Sequence, residues 1–287
     1  MPNSTPPVRK LSNLILYSSL WIGACAASLV TFTYDVTGSG IGTDAYVGFV
    51  FCGTLALYAV HRLTGIGKVR LYKDKGRFAI IDKYKSHILI YGTLGALGGT
   101  WFLVHLPIDL VWWLLLPGFL SFMYVVPLGK GKRWRDYAFV KIFLVSGVWA
   151  ALTGLIPFIY TGQAALNEGA LLFIERMLFI FAIAIPFDIR DMRVDDSSGV
   201  KTLPQALGIQ RAKFLAIGLL AFSAVLTWVL IRMQTYDSRL LFPYSICLLI
   251  TGGLIWNSRT DMDDHYYSGL VDGTMFFVAF AYWIWTM

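Results

Sequence analysis

Ala170-Leu-Leu-Phe-Ile-Glu-Arg-Met-Leu-Phe-Ile-Phe-Ala-Ile-Ala-Ile-Pro-Phe187 runs directly into Asp188-Ile-Arg-Asp191-Met-Arg-Val-Asp195-Asp196. As a helix, the first segment is long enough to cross most of the roughly 30 Å of bilayer hydrocarbon. The second places four of the chain's 17 acidic residues in nine positions. Working outward, comparable apolar runs recur near 12–33, 44–63, 87–106, 108–126, 138–160, 212–231, 240–256 and 269–286. With 170–187 as the sixth, they predict nine transmembrane helices. None alternates apolar and polar residues with a period of two, which excludes a strand barrel.

Composition agrees. Of 287 residues 57% are apolar and 14% charged, with a mean hydropathy of +0.63. A soluble domain carries about 45–50% and 25% respectively, so an ordinary soluble globule and a disordered chain are both excluded. Cys25, Cys52 and Cys247 lie far apart inside apolar runs and support neither a disulfide framework nor a zinc site. The first apolar run is too long for a signal peptide. Trp101, Trp112, Trp113, Trp283 and Trp285 read as interface anchors.

The net charge of +7 is distributed unevenly. Twenty of the 24 Lys and Arg fall in the N-terminal tail and the loops after spans two, four, six and eight. Only Arg232 and Arg239 fall in loops on the opposite side. The excess predicts a cytoplasmic N-terminus and an extracytoplasmic C-terminus in a bacterial-type plasma membrane. It is a topology signal rather than a nucleic-acid footprint. Loops of at most about 25 residues leave no room for an inserted soluble domain, so 1–287 reads as one transmembrane domain with a short cytoplasmic tail at 1–10.

The acidic knot is the strongest chemical signal. If the sixth helix continues past Phe187, a rotation of about 100° per residue brings Asp188, Asp191 and Asp195 into a sector of about 60°. Arg190 and Arg193 then point away. Three carboxylates on one face near hydrocarbon repel one another, and a divalent cation removes that penalty. Magnesium suits them: it prefers hard oxygen ligands and takes one or two carboxylates together with substrate phosphates and water. The spacing does not fit an EF-hand loop. A solvated, charge-alternating loop is the other reading of the same residues.

The run continues through Ser-Ser-Gly199-Val-Lys201-Thr202-Leu203-Pro204-Gln-Ala-Leu-Gly208. As a whole it resembles the second aspartate-rich motif of the UbiA superfamily of intramembrane prenyltransferases: D-x-x-D-x-x-x-D, then Gly, a basic residue, and a Thr-Leu-Pro-like stretch ending in Leu-Gly. Tyr124-Val-Val-Pro127 with Lys130, Lys132 and Arg133 resembles the Tyr-and-basic stretch after that family's fourth helix. The resemblance implies an all-helical bundle of about nine spans, with its site facing the cytoplasm between helices two, four, five and six. It also implies Mg²⁺-dependent transfer of a prenyl group from an isoprenoid diphosphate to an aromatic or quinone-precursor-like acceptor within the bilayer. Asp188, Asp191 and Asp195 would be the catalytic, metal-holding residues.

The family's first acidic motif should fall within Leu57-Tyr58-Ala-Val-His61-Arg62-Leu-Thr-Gly65, which contains no acid. His61 and Arg62 could bind diphosphate oxygens there directly, since a guanidinium is suited to phosphate, or they could be a snorkelling pair at a helix end. Lys130, Lys132 and Arg133 are further diphosphate candidates or plain orientation signals, and Lys141 is another or a snorkelling cation; Tyr124, which also reads as an interface aromatic, Lys201 and the intramembrane Asp272 are other candidates for the site. Glu175 and Arg176 read as a pair at the outer boundary, and Asp261, Asp263 and Asp264 as a solvated loop. The rival function is a non-catalytic scaffold of the same shape that binds or moves an isoprenoid or other lipid.

Overall fold

The computed structural model describes residues 7–68, 76–126, 133–162, 166–197 and 199–287. Every regular element among them is helical. They are α1 (Pro7–Tyr17), α2 (Leu20–Val36), α3 (Ala45–Lys68), α4 (Gly76–Lys83), α5 (Lys85–Val104), α6 (Ile108–Val125), α7 (Val140–Ala150), α8 (Ile156–Tyr160), α9 (Leu166–Ser197), α10 (Leu203–Leu207), α11 (Ile209–Arg232), α12 (Leu241–Asn257) and α13 (Asp272–Thr286). Among the described residues, eight helical stretches are long and apolar enough to cross a membrane, and nine if the bent pair α1 and α2 counts as one span.

That pair is where the expected first span departs from a straight helix. Ser19 sits in the left-handed region at φ 69°, and the two helices meet at 61°. Two further irregularities are wide helical turns: Ala151–Leu155 between α7 and α8, and Tyr266–Val271 ahead of α13. Such wide turns inside helices are frequent at functional sites. Close packing of α3 on α5 depends on glycine. A Cβ on Gly95 would stand 2.7 Å from the Cys52 carbonyl oxygen, and one on Gly92 would collide with the Ala59 Cβ. Small residues at such crossings let membrane helices approach closely.

The 32 residues of α9 make a rod of roughly 48 Å, longer than the hydrocarbon is thick. The helix therefore passes through Pro186 and carries the acidic run as continuous helix to Ser197. Gly199, at φ +69°, turns the chain, and the amide of Val200 donates to the Asp195 carbonyl at 2.9 Å. The Thr202 amide then donates to Gln205 Oε1 at 2.8 Å, and Gln205 Nε2 donates to the Met192 carbonyl at 3.1 Å. The Gly-Val-Lys-Thr-Leu-Pro-Gln stretch thus closes α9 and starts α10.

Trp101, Trp112 and Trp285 are each more than half exposed, as lipid-facing anchors would be. Trp283 is not such an anchor: it is half-buried and donates to Asp35 Oδ2. The outer-boundary reading of Glu175 and Arg176 is also corrected. Both are buried inside the bundle, 2% exposed. Glu175 accepts from Tyr244 and from Ser223 (3.1 Å), while Arg176 donates to the Thr153 carbonyl (3.1 Å) and Thr33 Oγ1 (3.3 Å). Partners from α2, the wide turn at 151–155, α11 and α12 satisfy the pair, and that satisfaction lets two charges sit away from water.

Candidate functional site

A cavity of about 660 Å³ opens among α1 to α4, α6, α7, α9 and α13. The expected ring of α3, α6, α7 and α9 (the second, fourth, fifth and sixth spans) is present, and the first and last spans close it. Leu57, Val145, Val148, Ile180, Ile183, Ala184 and Met275 give it an apolar part.

Its charged lining comprises Arg62, Arg133, Arg135, Lys141 and Arg190 with Asp136, Asp188, Asp191, Asp195, Asp264 and Asp272. On α9, Asp188 and Asp195 are almost buried, at 3% and 8% exposure. Lys141, on the facing α7, reaches both: its Nζ stands 2.6 Å from Asp188 Oδ1 and 3.7 Å from Asp195 Oδ2. Asp195 Oδ2 is buried with no hydrogen bond.

Arg190 does not point away as the helical spacing predicts. Its arm folds over the rings of Phe187 and Tyr267 at 4.9 and 5.3 Å. It meets Asp191 Oδ1 at 2.9 Å through Nε, and Asp264 Oδ1 at 2.5 Å through Nη1. A long side chain with a polar head can turn back across an apolar helix face. Asp264 is therefore not part of a solvated loop; it belongs to the cavity wall.

The opposite wall is built from α3, α6 and the segment before α7. Arg135 Nη1 donates to the His61 ring, 2.7 Å from Nε2, and its guanidinium lies 5.0 Å above the Tyr124 ring. A ring nitrogen that accepts from a guanidinium carries no proton. His61 therefore orients Arg135 without adding charge through that nitrogen. Burial works against the Arg135 charge, but Tyr124 and the α9 carboxylates Asp195 and Asp191 outweigh it and hold the guanidinium above its ordinary range.

Arg62 stands 5.6 Å from the Tyr17 ring centre, and its Nη1 is buried without an acceptor. Arg133 is paired with Asp136, Nη2 to Oδ1 at 2.8 Å, and its Nη1 is likewise buried without an acceptor. Among the described residues neither Arg62 nor Arg135 has a carboxylate within 4.0 Å.

The structure thus brings Asp188, Asp191, Asp195, His61, Arg62, Arg133, Lys141, Tyr124 and Asp272 around one cavity. Lys201 is exposed and does not line it. Lys130 and Lys132 lie outside the described residues. Sequence reasoning missed Arg135 and Arg190 as site residues. The available signal was their closeness to already suspected residues: Arg135 two positions after Arg133, Arg190 between two of the aspartates.

No protein-family model and no curated protein sequence matches the chain. Solved structures do. A UbiA homologue from Archaeoglobus fulgidus bound to GPP and Mg²⁺ superposes with a TM-score of 0.63 at 12% identity, covering 96% of this chain and 100% of that one. A UbiA homologue from Aeropyrum pernix K1, without ligand, gives 0.61 at 12%, with coverages of 96% and 98%. A digeranylgeranylglyceryl phosphate synthase gives 0.54 at 16%, also with coverages of 96% and 98%. The chain has the UbiA fold, an all-helical multi-pass membrane bundle, over nearly its whole length.

Proposed function

We propose that this UbiA-like protein accepts an isoprenoid diphosphate in the cavity and transfers its prenyl group to a hydrophobic, aromatic or quinone-precursor-like acceptor. The observation that carries the reading is the meeting, in one cavity, of the α9 carboxylates with arginines whose buried N–H groups lack acceptors. An unsatisfied buried donor costs about 1–3 kcal/mol. Phosphate oxygens fit the guanidinium fork and would remove that cost. The Archaeoglobus neighbours bound to GPP or DMAPP with Mg²⁺ support the same class of ligand.

Magnesium fits the chemistry of the α9 wall. Asp188, Asp191 and Asp195 are hard oxygen donors on one helix, and Asp195 Oδ2 is buried without a hydrogen bond, its nearest cation being Lys141 at 3.7 Å. These three would hold the ion together with phosphate oxygens, and the ion would supply Lewis-acid stabilisation of the leaving diphosphate. Arg62 and Arg135 supply positive charge on the wall where the family's first acidic motif is missing. Lys141, already on Asp188 and Asp195, is placed to turn one N–H to a phosphate oxygen. The apolar part would hold the prenyl chain and keep water from an allylic cation, which the faces of Tyr58 and Trp149 could stabilise. We read the basic loops as cytoplasmic, which puts the polar mouth on that side.

A second reading, a scaffold that binds a prenyl lipid without turnover, draws on two observations. Lys141 occupies two of the three carboxylates, and among the described residues no three His, Cys, Asp or Glu are gathered as a metal site. The deciding experiment incubates the protein in lipid with labelled geranyl diphosphate, with and without Mg²⁺ and with a panel of phenolic acceptors. Mg²⁺-dependent release of diphosphate with a prenylated product supports the enzyme. Tight binding with no release overturns it in favour of the scaffold.

A further inference from the structure

Asp272 opens α13, directly after the wide turn at Tyr266–Val271. The turn is pinned to α2 by Trp21, whose Nε1 donates to the Gly269 carbonyl at 3.1 Å. Tyr267 and Val271 on either side are fully buried. The backbone around Asp272 is therefore fixed, and the side chain is delivered into the cavity among Tyr58, Trp149, Trp21 and Met275.

Every other carboxylate of the cavity is paired: Asp136 with Arg133, Asp188 and Asp195 with Lys141, Asp191 and Asp264 with Arg190. Asp272 is the exception. Among the described residues it has no hydrogen bond and no cation within 4.0 Å. Arg190 on α9, Asp264 ahead of α13 and Arg62 on α3 act on it only from a distance, and Cys25 on α2 and Tyr58 on α3 face it. Asp272 is half-buried, and a carboxylate partly withdrawn from water with no partner carries part of the cost of burial. At the wall of a cavity, a donor on a bound ligand offsets that cost.

We propose that Asp272 accepts a hydrogen bond from the hydroxyl of an aromatic ligand seated against Tyr58 and Trp149, and so marks the acceptor's end of the cavity. The side chain keeps an accepting oxygen whether or not it carries a proton, so a ligand that donates suits it in either state. Flat aromatic walls favour a ring that carries the donor, because offset or edge contacts stabilise it. The ligand's role as prenyl acceptor rests on the prenyl-transfer reading; the hydrogen bond itself does not.

The test compares 4-geranylphenol with its methyl ether, which has the same shape but cannot donate, by tryptophan quenching of the protein in nanodiscs. Wild type is expected to prefer the phenol by about tenfold or more, the scale of one charge-assisted hydrogen bond. Asp272→Asn should cut the preference to about two- to threefold and Asp272→Leu should abolish it. Both variants should keep wild-type affinity for the unreactive analogue geranyl thiodiphosphate, within about threefold, which shows that they are folded. Equal binding of phenol and ether by wild type, or a preference that survives Asp272→Leu, overturns the proposal. If geranyl thiodiphosphate fails to bind wild type, the prenyl-diphosphate reading falls, while the phenol-to-ether ratio still decides the role of Asp272.

Discussion

The α3 end and the α9 end of the cavity face the same space with opposite chemistry. At α9, carboxylates crowd one helix and draw Lys141 and Arg190 onto themselves. At α3, Arg62 has no anionic partner among the described residues, and neighbouring Arg135 leans on an imidazole and a phenol ring rather than on an acid. The contrast shows how a diphosphate can be balanced: metal-competent oxygens on one wall, fixed guanidinium groups on the other. A guanidinium brings one charge where a magnesium ion brings two. Leaving-group stabilisation on that wall is therefore expected to be weaker than with two metals.

The largest expected effect breaks the α9 side from outside the helix. Lys141→Met strips Asp188 of its close partner while the carboxylate stays 3% exposed. An orphaned buried charge of this kind costs about 3–5 kcal/mol. The thermal midpoint in detergent should drop by several degrees, and the double change Lys141→Met with Asp188→Asn should recover most of the loss. No recovery in the double change would mean that Lys141 acts through packing.

The next effect tests the α3 side. Arg62→Ala should weaken binding of geranyl thiodiphosphate by roughly 10- to 100-fold, the range of hydrogen bonds to a charged group. Arg62→Lys, which keeps the charge and loses the fork, should fall between wild type and Ala. Unchanged affinity in Arg62→Ala would make the residue a snorkelling anchor and erase the contrast between the two ends.

A smaller effect is expected from Asp191→Asn. The diphosphate analogue should stabilise wild type more in Mg²⁺ than in chelator, because a ligand that binds only the folded state raises its midpoint. Asp191→Asn should remove that difference and leave the metal-independent part. The smallest effect belongs to Lys201→Ala. Lys201 sits in the motif but is exposed and does not line the cavity, so binding should stay within about twofold.

Much of this was legible in the sequence, because membrane spans announce themselves by length and apolarity and because α9 keeps its 100° periodicity through the acidic run. That periodicity put Asp188, Asp191 and Asp195 on one side, and the structure has all three lining the cavity. It failed for Arg190, because helical phase fixes where a Cα points and not where a long arm ends. It was silent on Asp264, whose partner is 74 positions away, and on Arg135 and His61, also 74 apart. Glu175 and Arg176 looked like a boundary pair because nothing local reveals that Tyr244, Ser223, Thr153 and Thr33 converge on them. The bend at Ser19 is hidden for a similar reason: serine carries no strong signal for a left-handed backbone.

The central claim is a diphosphate held by one metal-bearing wall and one guanidinium wall, and the most direct measurement counts ions. Mn²⁺, standing in for Mg²⁺, can be titrated by electron paramagnetic resonance against protein saturated with geranyl thiodiphosphate. One ion per bound diphosphate is expected in wild type and in Arg62→Ala where the analogue is still bound, and none in Asp191→Asn. Two ions per diphosphate in wild type, or none, would contradict the division of labour between α3 and α9.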